Sequence, residues 1–275
     1  MSKKLLVLMA LGVSPLAYSE GSPWLQGHGT ISLGLNLTTG TTDSFFIGDD
    51  STSLNGDLEG TYLWLNASYG YDDIWAFDLR TGYARTDFTT NPVDQEDIAD
   101  TSLGVSYQFI NEFEADNGWP TISGRAGIVI GGDYDPNLID AIGDAADGVD
   151  LSVLVGKSLD HGFAVSGDLT YSVRNNDVAD GIKYIGNVFY SPPVDGLSLQ
   201  GAIAGIRTNS DIDIGGDGFG VDQFPQTDRD ANFLIGGITY ELPVGIGVGL
   251  SYRALLSGTN IPDTDVTSIA VNYTF

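Results

Sequence analysis

The feature that most constrains this chain is a two-residue alternation of apolar and polar side chains, which recurs along most of its length. Successive side chains of a β-strand point to opposite faces, so this alternation predicts strands with one apolar and one polar face. Most of the segments reach the ~9–11 residues that a tilted strand needs to cross a bilayer. About twelve segments show the pattern, at 27–38, 58–71, 74–87, 99–110, 119–131, 149–158, 162–174, 181–191, 197–208, 230–242, 245–256 and 265–275.

The connections between these segments alternate in length. Tight turns are predicted at 72–73, 160–162, 192–196 and 243–244, with a mid-length connection at 111–118. Longer, acidic loops are predicted near 39–57, 88–98, 132–148, 175–180, 209–229 and 257–264. Short periplasmic turns opposite long external loops, with an even strand count, are typical of an outer-membrane barrel. The predicted fold is therefore all-β, a transmembrane antiparallel β-barrel of about 12 strands. The alternative is a soluble barrel or sandwich, which would share the strand pattern but not the two-sided loops.

The last segment supports a lipid-facing strand. Ile269, Val271, Tyr273 and Phe275 share one face, while small and polar residues share the other. A strand with an apolar outer face and a polar inner face fits a barrel wall in lipid. The terminal aromatic residue is typical of the signal that the barrel-assembly machinery reads, so we expect that machinery to recognise Phe275. The expected location is the bacterial outer membrane.

The N-terminus is expected to be a secretory signal peptide. Lys3 and Lys4 precede a mostly apolar run over residues 5–16, and small residues follow it. A basic region, an apolar region and a small-residue cleavage site in this order direct a chain to secretion. The expected domains are a signal peptide over 1–19 and one barrel over 20–275. Residues 20–27 would lie in the periplasm or tuck into the barrel mouth.

Composition excludes several classes of function. The chain has 37 acidic residues against 11 Lys and Arg, a formal net charge of −26. Phosphate binding depends on clustered Lys and Arg, so nucleic acid is not an expected partner. The absence of Cys excludes thiol catalysis and thiolate metal sites. Gly245, Gly247 and Gly249 superficially match a nucleotide-binding motif, but they lie inside a predicted strand, so no cofactor is expected.

Charged side chains of the strands fall on the face opposite the apolar one. A charge at mid-depth on the lipid side would cost ~2–4 kcal/mol, so these side chains are expected to point inward. In one interpretation they line a channel or substrate path and set its selectivity through their field. In the other they form ion pairs that brace a narrow, filled barrel. The residues are Asp78, Arg80, Arg125, Asp168, Arg174, Lys183, Glu241 and Arg253.

Two of the predicted external loops carry patterns of their own. Residues 136–144 contain four apolar residues at near-helical spacing, so this loop would either fold inward as a constriction or form a short surface helix. The run from Asp211 through Asp213 to Asp217 partly resembles a calcium loop, although Gly215 and Asp222 stand where the loop needs an oxygen ligand and a bidentate Glu. A metal site at Asp211, Asp213 and Asp217 is one expectation. The alternatives are simple solvation of the acidic loops or divalent-ion bridges from them to lipopolysaccharide.

The sequence offers no catalytic set at the outer rim. His28 and His161 are the only histidines, and both fall at predicted periplasmic strand ends or turns. A Ser-His-acid arrangement needs its members together near the substrate, so the chain is not expected to be an enzyme. A Ser/Lys or paired-Asp mechanism remains open, because external carboxylates are plentiful.

Parts of the C-terminal half resemble a known family. The stretches are GGDYD (131–135), VDLSVLVGKSL (149–159), GDLTYSVR (167–174), LSLQG (197–201) and FLIGGITY (233–240). They resemble the family of outer-membrane transporters described as "MetA-pathway of phenol degradation". The chain departs from the family's pattern at Ile130-Gly131-Gly132, where a Pro-Thr-Gly-like step is common, and at Gly201-Ala202, where an acidic residue is common. The resemblance implies a barrel that passes hydrophobic or aromatic compounds, and it implies no catalytic residues.

The sequence therefore predicts an outer-membrane channel or transporter for small molecules, with substrates that include hydrophobic or aromatic compounds. Its expected partners are outer-membrane lipid, lipopolysaccharide and a small-molecule solute. The alternative is a plugged structural or surface-interaction barrel whose acidic loops bind divalent ions or lipopolysaccharide.

Overall fold

The chain forms a closed antiparallel β-barrel of twelve strands, each paired with its neighbours in sequence, and β1 closes the barrel against β12. The structure is a computed structural model that describes residues 21–90, 94–115, 118–216, 219–220 and 223–275. The predicted fold class is confirmed. The predicted signal peptide over 1–19 lies outside the described residues. No helix in the described ranges is long and apolar enough to cross a membrane.

The strand positions follow the predicted alternation closely. Two short 3₁₀ turns, Asp160–Gly162 and Phe224–Gln226, lie between strands. The strands are β1 Ile31–Ile47, β2 Asp50–Gly70, β3 Trp75–Phe88, β4 Gln95–Ile110, β5 Thr121–Ile130, β6 Gly148–Ser158, β7 Phe163–Arg174, β8 Gly181–Tyr190, β9 Leu197–Thr208, β10 Asp230–Glu241, β11 Ile246–Thr259 and β12 Asp265–Thr274.

The long external loop predicted at 39–57 is wrong. β1 and β2 continue through this region as a paired hairpin, with Phe45 opposite Thr52 and Ile47 opposite Asp50. The turn is reduced to residues 48–49, and Gly48 adopts a positive φ of 55° there. The Ser- and Thr-rich sequence lacks apolar alternation, which hid the strand. Pairing between β1 and β2 satisfies the backbone hydrogen bonds of this region. The hairpin needs no apolar face, because it extends beyond the bilayer.

The outer surface carries the apolar face of the strands. Leu35 is 53% exposed and Ile269 is 51% exposed, as a lipid-facing wall requires. Aromatic rings cluster at the short-turn end of the barrel. The ring centres of Trp75 and Tyr107 are 4.7 Å apart, and those of Phe163 and Tyr190 are 4.6 Å apart. Rings with a polar tip favour the membrane–water interface, so this cluster marks the periplasmic edge of the bilayer.

The interior face is divided into an apolar and a polar part. The apolar part follows β8, β9 and β10 and packs Ile185, Ala204, Phe233 and Ile235 together. The polar part includes β1 and β12, where Thr38 and Ser268 share a hydrogen bond of 3.1 Å. A solute inside the barrel would therefore meet an apolar surface on one side and hydrogen-bonding groups on the other.

Candidate solute site in the barrel lumen

The segment before β1 enters the short-turn end of the barrel. Trp24 is 4% exposed and packs against Ala164 and Phe189, and its indole Nε1 donates a 2.9 Å hydrogen bond to Glu112 Oε1. Gly156 makes room for the ring, because a Cβ there would lie 2.6 Å from Trp24. Of the two predicted positions for residues 20–27, the described part takes the one inside the barrel mouth.

Backbone contacts hold the same segment in place. The carbonyl oxygen of Pro23 accepts hydrogen bonds from Gln108 Nε2 at 3.1 Å and from Ser123 Oγ at 2.7 Å. Gln26 Nε2 donates to Ser68 Oγ of β2 at 2.7 Å. The segment is therefore tied to several strands, and it obstructs the periplasmic end of the lumen.

Above this segment lies a buried ion pair. Arg125 is 4% exposed, and its Nη2 lies 2.6 Å from Asp78 Oδ1 while its Nε donates to Asp78 Oδ2 at 3.0 Å. Arg125 Nη2 also donates to Ser102 Oγ at 3.0 Å. A guanidinium fork matches a carboxylate in this two-bond geometry, which gives the pair a defined orientation. The prediction of inward charge is correct here, and the pair matches the bracing interpretation.

A second charged group lies nearer the external end. Asp150 is fully buried and pairs with Arg174 at 2.7 Å and with Lys183 at 3.6 Å. Asp168, also on the interior face, accepts a 2.9 Å hydrogen bond from Thr170. Sequence analysis did not select Asp150, although its position in β6 alternates with outward Val149 and Leu151 and would have identified it.

Two of the predicted lumen arginines lie on aromatic rings. The Arg80 guanidinium carbon is 4.0 Å from the centre of the Trp64 ring, and that of Arg253 is 4.8 Å from the centre of the Phe233 ring. Such contacts combine cation–π attraction with apolar packing. Glu241 shares the interior face of β10 but lies at its periplasmic end, away from these rings. All eight predicted residues thus face inward, and their role in a solute path stays a prediction.

The connection between β5 and β6, residues 131–147, folds into the lumen and is called the inward loop below. Ile142 packs against Ala84 and Ala99, and its carbonyl oxygen accepts a 3.3 Å hydrogen bond from the Tyr62 hydroxyl. The carbonyl oxygen of Asp140 accepts another from Thr86. Of the two predicted conformations, the structure shows the inward constriction.

A hydroxyl–carboxylate contact braces the base of the inward loop. Tyr134 donates to Asp100 of β4, and the backbone nitrogen of Gly132 donates to the same carboxylate at 3.0 Å. Burial, with the Asp100 charge and hydrogen bond, raises the pKa of Tyr134 well above its ordinary value. The Tyr134 hydroxyl therefore keeps its proton at neutral pH and remains a donor.

An ion pair joins the inward loop to the loop between β9 and β10. Asp144 Oδ1 lies 2.8 Å from Arg229 Nη1, and both side chains are mostly buried. Burial raises the pKa of Asp144, but Arg229, with Arg174 and Lys183, outweighs burial and holds that pKa below its ordinary value. The pair is therefore ionised at neutral pH and closes one loop against the other.

Between the inward loop and the barrel wall lies a cavity of about 470 Å³, called the lumen cavity below. Its apolar lining includes Tyr62, Trp64, Ile142, Ile206, Phe233 and Ile261. Its charged lining includes Arg80, Arg229, Arg253 and Asp140. Tyr62 and Trp64 stack with their ring centres 5.8 Å apart. A mostly apolar wall with a few placed polar groups is the usual build of a small-molecule site.

The predicted calcium site stays a prediction. Asp217 lies outside the described residues, and Asp213 Oδ1 accepts a 2.9 Å hydrogen bond from Asn260. Burial raises the pKa of Asp228, and the charges of Asp213, Asp230 and Asp211 raise it further. No group of three metal-ligating side chains forms among the residues that are described.

The two histidines lie at the short-turn end. His28 Nδ1 is 2.7 Å from the carbonyl oxygen of Tyr71, and His161 occupies a turn with a φ of 62°. Both therefore lie at periplasmic strand ends or turns, as predicted, and neither lines the lumen cavity.

A closed barrel with an apolar outer belt and a partly polar interior defines an outer-membrane β-barrel protein, and the protein is located in the bacterial outer membrane. Residues 26–269 match the family described as "Putative MetA-pathway of phenol degradation", and the chain belongs to that family. The resemblance found in the sequence is confirmed. Among curated proteins, no sequence is significantly similar to this chain.

Solved structures share the architecture. The COG4313 outer membrane channel from Pseudomonas putida F1 aligns with a TM-score of 0.74 at 15% identity, covering 96% of this chain and 100% of that one. The translocator domain of the autotransporter NalP from Neisseria meningitidis aligns with a TM-score of 0.51 at 14% identity, covering 91% and 90%. The NanC porin aligns with a TM-score of 0.50 at 12% identity, covering 87% and 98%. At these identities the likeness shows the fold alone.

Proposed function

We propose that the protein is an outer-membrane channel that passes small aromatic or hydrophobic molecules and is not an enzyme. The observation that carries this proposal is the lumen cavity, an aromatic-lined space of about 470 Å³ inside the barrel. A cavity of this size suits a small molecule. Family membership supports the same class of solute, because the family description refers to phenol degradation.

The route through the barrel would pass two obstacles. The inward loop covers the cavity from outside, and the segment containing Trp24 obstructs the periplasmic mouth. The Asp78–Arg125 pair lies along the wall over Gly104 of β4. Passage then requires at least one of these elements to move. A wide, water-filled pore would not be obstructed by such elements. The obstructed lumen therefore fits a narrow, selective path better.

The second candidate is a plugged barrel with a structural or surface-interaction role. The same obstructions favour it, because a permanently held N-terminal segment would stop transport. In that case the acidic external loops would supply the function, through divalent ions or lipopolysaccharide. Recognition by the barrel-assembly machinery through Phe275 is proposed for either role.

The test combines conductance with solute binding. Refolded residues 20–275 are inserted into a planar bilayer, and the current through the barrel is recorded. We expect a steady current that phenol interrupts and glucose does not. Quenching of Trp64 fluorescence by phenol should accompany it, since the ring lines the cavity. Trp75, a lipid-facing residue, provides the matched control: Trp64→Phe should abolish the quenching, whereas Trp75→Phe should leave it. A folded barrel that neither conducts nor binds phenol would refute the channel and favour the plugged barrel.

A further inference from the structure

We propose that the lumen cavity continues into a second solute site on the inner face of β10–β12, which binds the hydroxyl group of uncharged aromatic molecules. This inference rests on the proposed channel function and assigns the next part of the solute path. The site is called the uncharged strip below. It consists of Gly237, Gly247, Ser251, Ser268 and Asn272.

Strand pairing joins the uncharged strip to the lumen cavity. Thr38, which lines the cavity, is paired with Ser268 and shares a 3.1 Å hydrogen bond with it. Ser268 is in turn paired with Ser251 of β11. Asn272 lies four residues further along β12 and is paired with Gly247. At ~3.3 Å per residue, the strip extends about 13 Å from Ser268 towards the periplasmic end.

Glycines on the inner face show that this side of the lumen has room. A Cβ at Gly247 would come no closer than 3.9 Å to a described atom, and a Cβ at Gly237 no closer than 3.6 Å. On the opposite wall, a Cβ at Gly104 would lie 2.4 Å from the Arg125 guanidinium. Side chains therefore fill the lumen beside β4 and β5 and leave space beside β10 and β11.

The N-terminal segment is fastened away from the uncharged strip. Pro23 is bonded to β4 and β5, and Trp24 packs against β7 and β8. Gln26 is bonded to β2. Around the barrel, β10–β12 lie on the remaining side, between β8 and β2. The strip therefore leads towards the side of the periplasmic mouth that these contacts do not hold.

Asn272 and Ser251 supply the hydrogen-bonding groups of the strip. Asn272 is 8% exposed and Ser251 is 3% exposed, and each alternates with outward-facing neighbours. Neither side chain forms a hydrogen bond with another described residue, although the polar atoms of both keep some accessible surface. By contrast, Ser152 on the inner face of β6 is 5% exposed and bonds Thr170 at 2.7 Å. A buried amide or hydroxyl without a partner is costly, so these two groups call for water or a solute.

The chemistry of the strip favours an uncharged hydroxyl group. Amide and hydroxyl side chains both donate and accept hydrogen bonds, and a solute hydroxyl does the same in return. Arg253 lies two residues beyond Ser251, at the cavity end, and Glu241 is paired with Gly247 at the other end. With strands ~4.8 Å apart, Asn272 is about 10 Å from Glu241 and farther from Arg253. A carboxylate at Asn272 would lose hydration beside an acid, and a plain hydrocarbon would leave the amide unpaired.

The experiment measures cysteine accessibility, because the chain has no Cys of its own. Residues 20–275 carrying Ser251→Cys are refolded in lipid vesicles and treated with the small, neutral reagent methyl methanethiosulfonate, and mass spectrometry follows the modification. Ser152→Cys is the matched control on the filled wall. Ser251→Cys should react at least about tenfold faster, because a thiol reacts only where the reagent reaches it. Phenol should slow the reaction, and toluene and benzoate should need at least about threefold higher concentrations for the same effect.

Asn272→Leu, added to Ser251→Cys, tests the hydrogen bond. The phenol concentration that halves the reaction rate should rise roughly 3- to 10-fold, as expected for one lost neutral hydrogen bond, and that of toluene should stay within about twofold. The matched control is Asn187→Leu, which removes an inner-face amide that is 7% exposed and bonded to Ser166 and Gln200. It should change neither concentration. Heat-modifiable mobility on gels establishes that each variant is folded.

The outcomes separate the uncharged strip from the channel itself. Equal reactivity of Ser251→Cys and Ser152→Cys, stronger protection by benzoate than by phenol, or phenol protection that Asn272→Leu does not weaken would overturn the strip. Quenching of Trp64 by phenol would persist in each of these cases, because Trp64 lines the lumen cavity. Loss of both Trp64 quenching and phenol protection in a folded barrel would instead refute the proposed function.

Discussion

The ion pair between Asp144 and Arg229 is expected to hold the inward loop closed. Asp144→Ala removes the carboxylate that lies 2.8 Å from Arg229 Nη1. A hydrogen bond to a charged group contributes ~1.5–3 kcal/mol, and the side chains here are 28% and 23% exposed, so the lower end, about 1.5 kcal/mol, applies. At 1.4 kcal/mol per factor of ten, the open population of the loop should rise about tenfold.

The assay is the current through single refolded barrels in a planar bilayer at pH 7. Asp133 provides the matched control, because it is an exposed acid of the same loop. Asp144→Ala should open more often than wild type, and Asp133→Ala should not. Equal open probability for the two variants would refute the assignment of the pair as a closing contact.

The same contact predicts a dependence on pH. The folded-state pKa of Asp144 is lowered from its ordinary value of 3.8, so the stabilisation it provides is complete above that value and is lost as the pH falls through the folded pKa. Wild-type opening should therefore increase only below about pH 4. Asp144→Ala should lack this component, and an identical acid response in both proteins would contradict the reasoning.

Three further predictions concern the lumen and the lipid face. Trp24→Ala removes a buried aromatic side chain worth about 3–5 kcal/mol and its bond to Glu112, so steady conductance should rise as the N-terminal segment detaches. Asp78→Ala leaves Arg125 buried without this carboxylate and should destabilise the barrel by about 3 kcal/mol. This is the lower end of the range for a broken buried pair, because the Asp78 side chain is 26% exposed. Leu35→Arg places a charge on the lipid face and should cost ~2–4 kcal/mol; urea unfolding in lipid vesicles measures the last two.

Each of these predictions has a clear contrary result. Unchanged current in Trp24→Ala would mean that the segment does not obstruct the lumen. If Asp78→Ala lowers the free energy of unfolding by less than about 1 kcal/mol, other groups must stabilise the buried Arg125 as well as Asp78 does. Leu35→Ala is the control for the lipid face, and equal destabilisation by Ala and Arg would show that the site is not in the bilayer.

The sequence by itself determined the barrel and the division of its two faces. Alternation over segments such as 163–174 reports which side chains share a face, because the period of a strand is two and depends only on local geometry. The same parity placed Arg125 and Arg174 inside. Parity places Asp150 inside as well, but it does not report partners, so the contact between Arg174 and Asp150 was not predicted.

The tertiary structure alone decided what fills the barrel. Whether the inward loop enters the lumen depends on the fit of Ile142 against Ala84 and Ala99, and these residues lie on three different elements. The Trp24 contact with Glu112 likewise joins residues 88 positions apart. Such contacts depend on closure of the barrel, which brings distant strands together across its interior. Local sequence patterns do not report contacts between residues so far apart in the chain. The lumen cavity is therefore visible only in the folded structure.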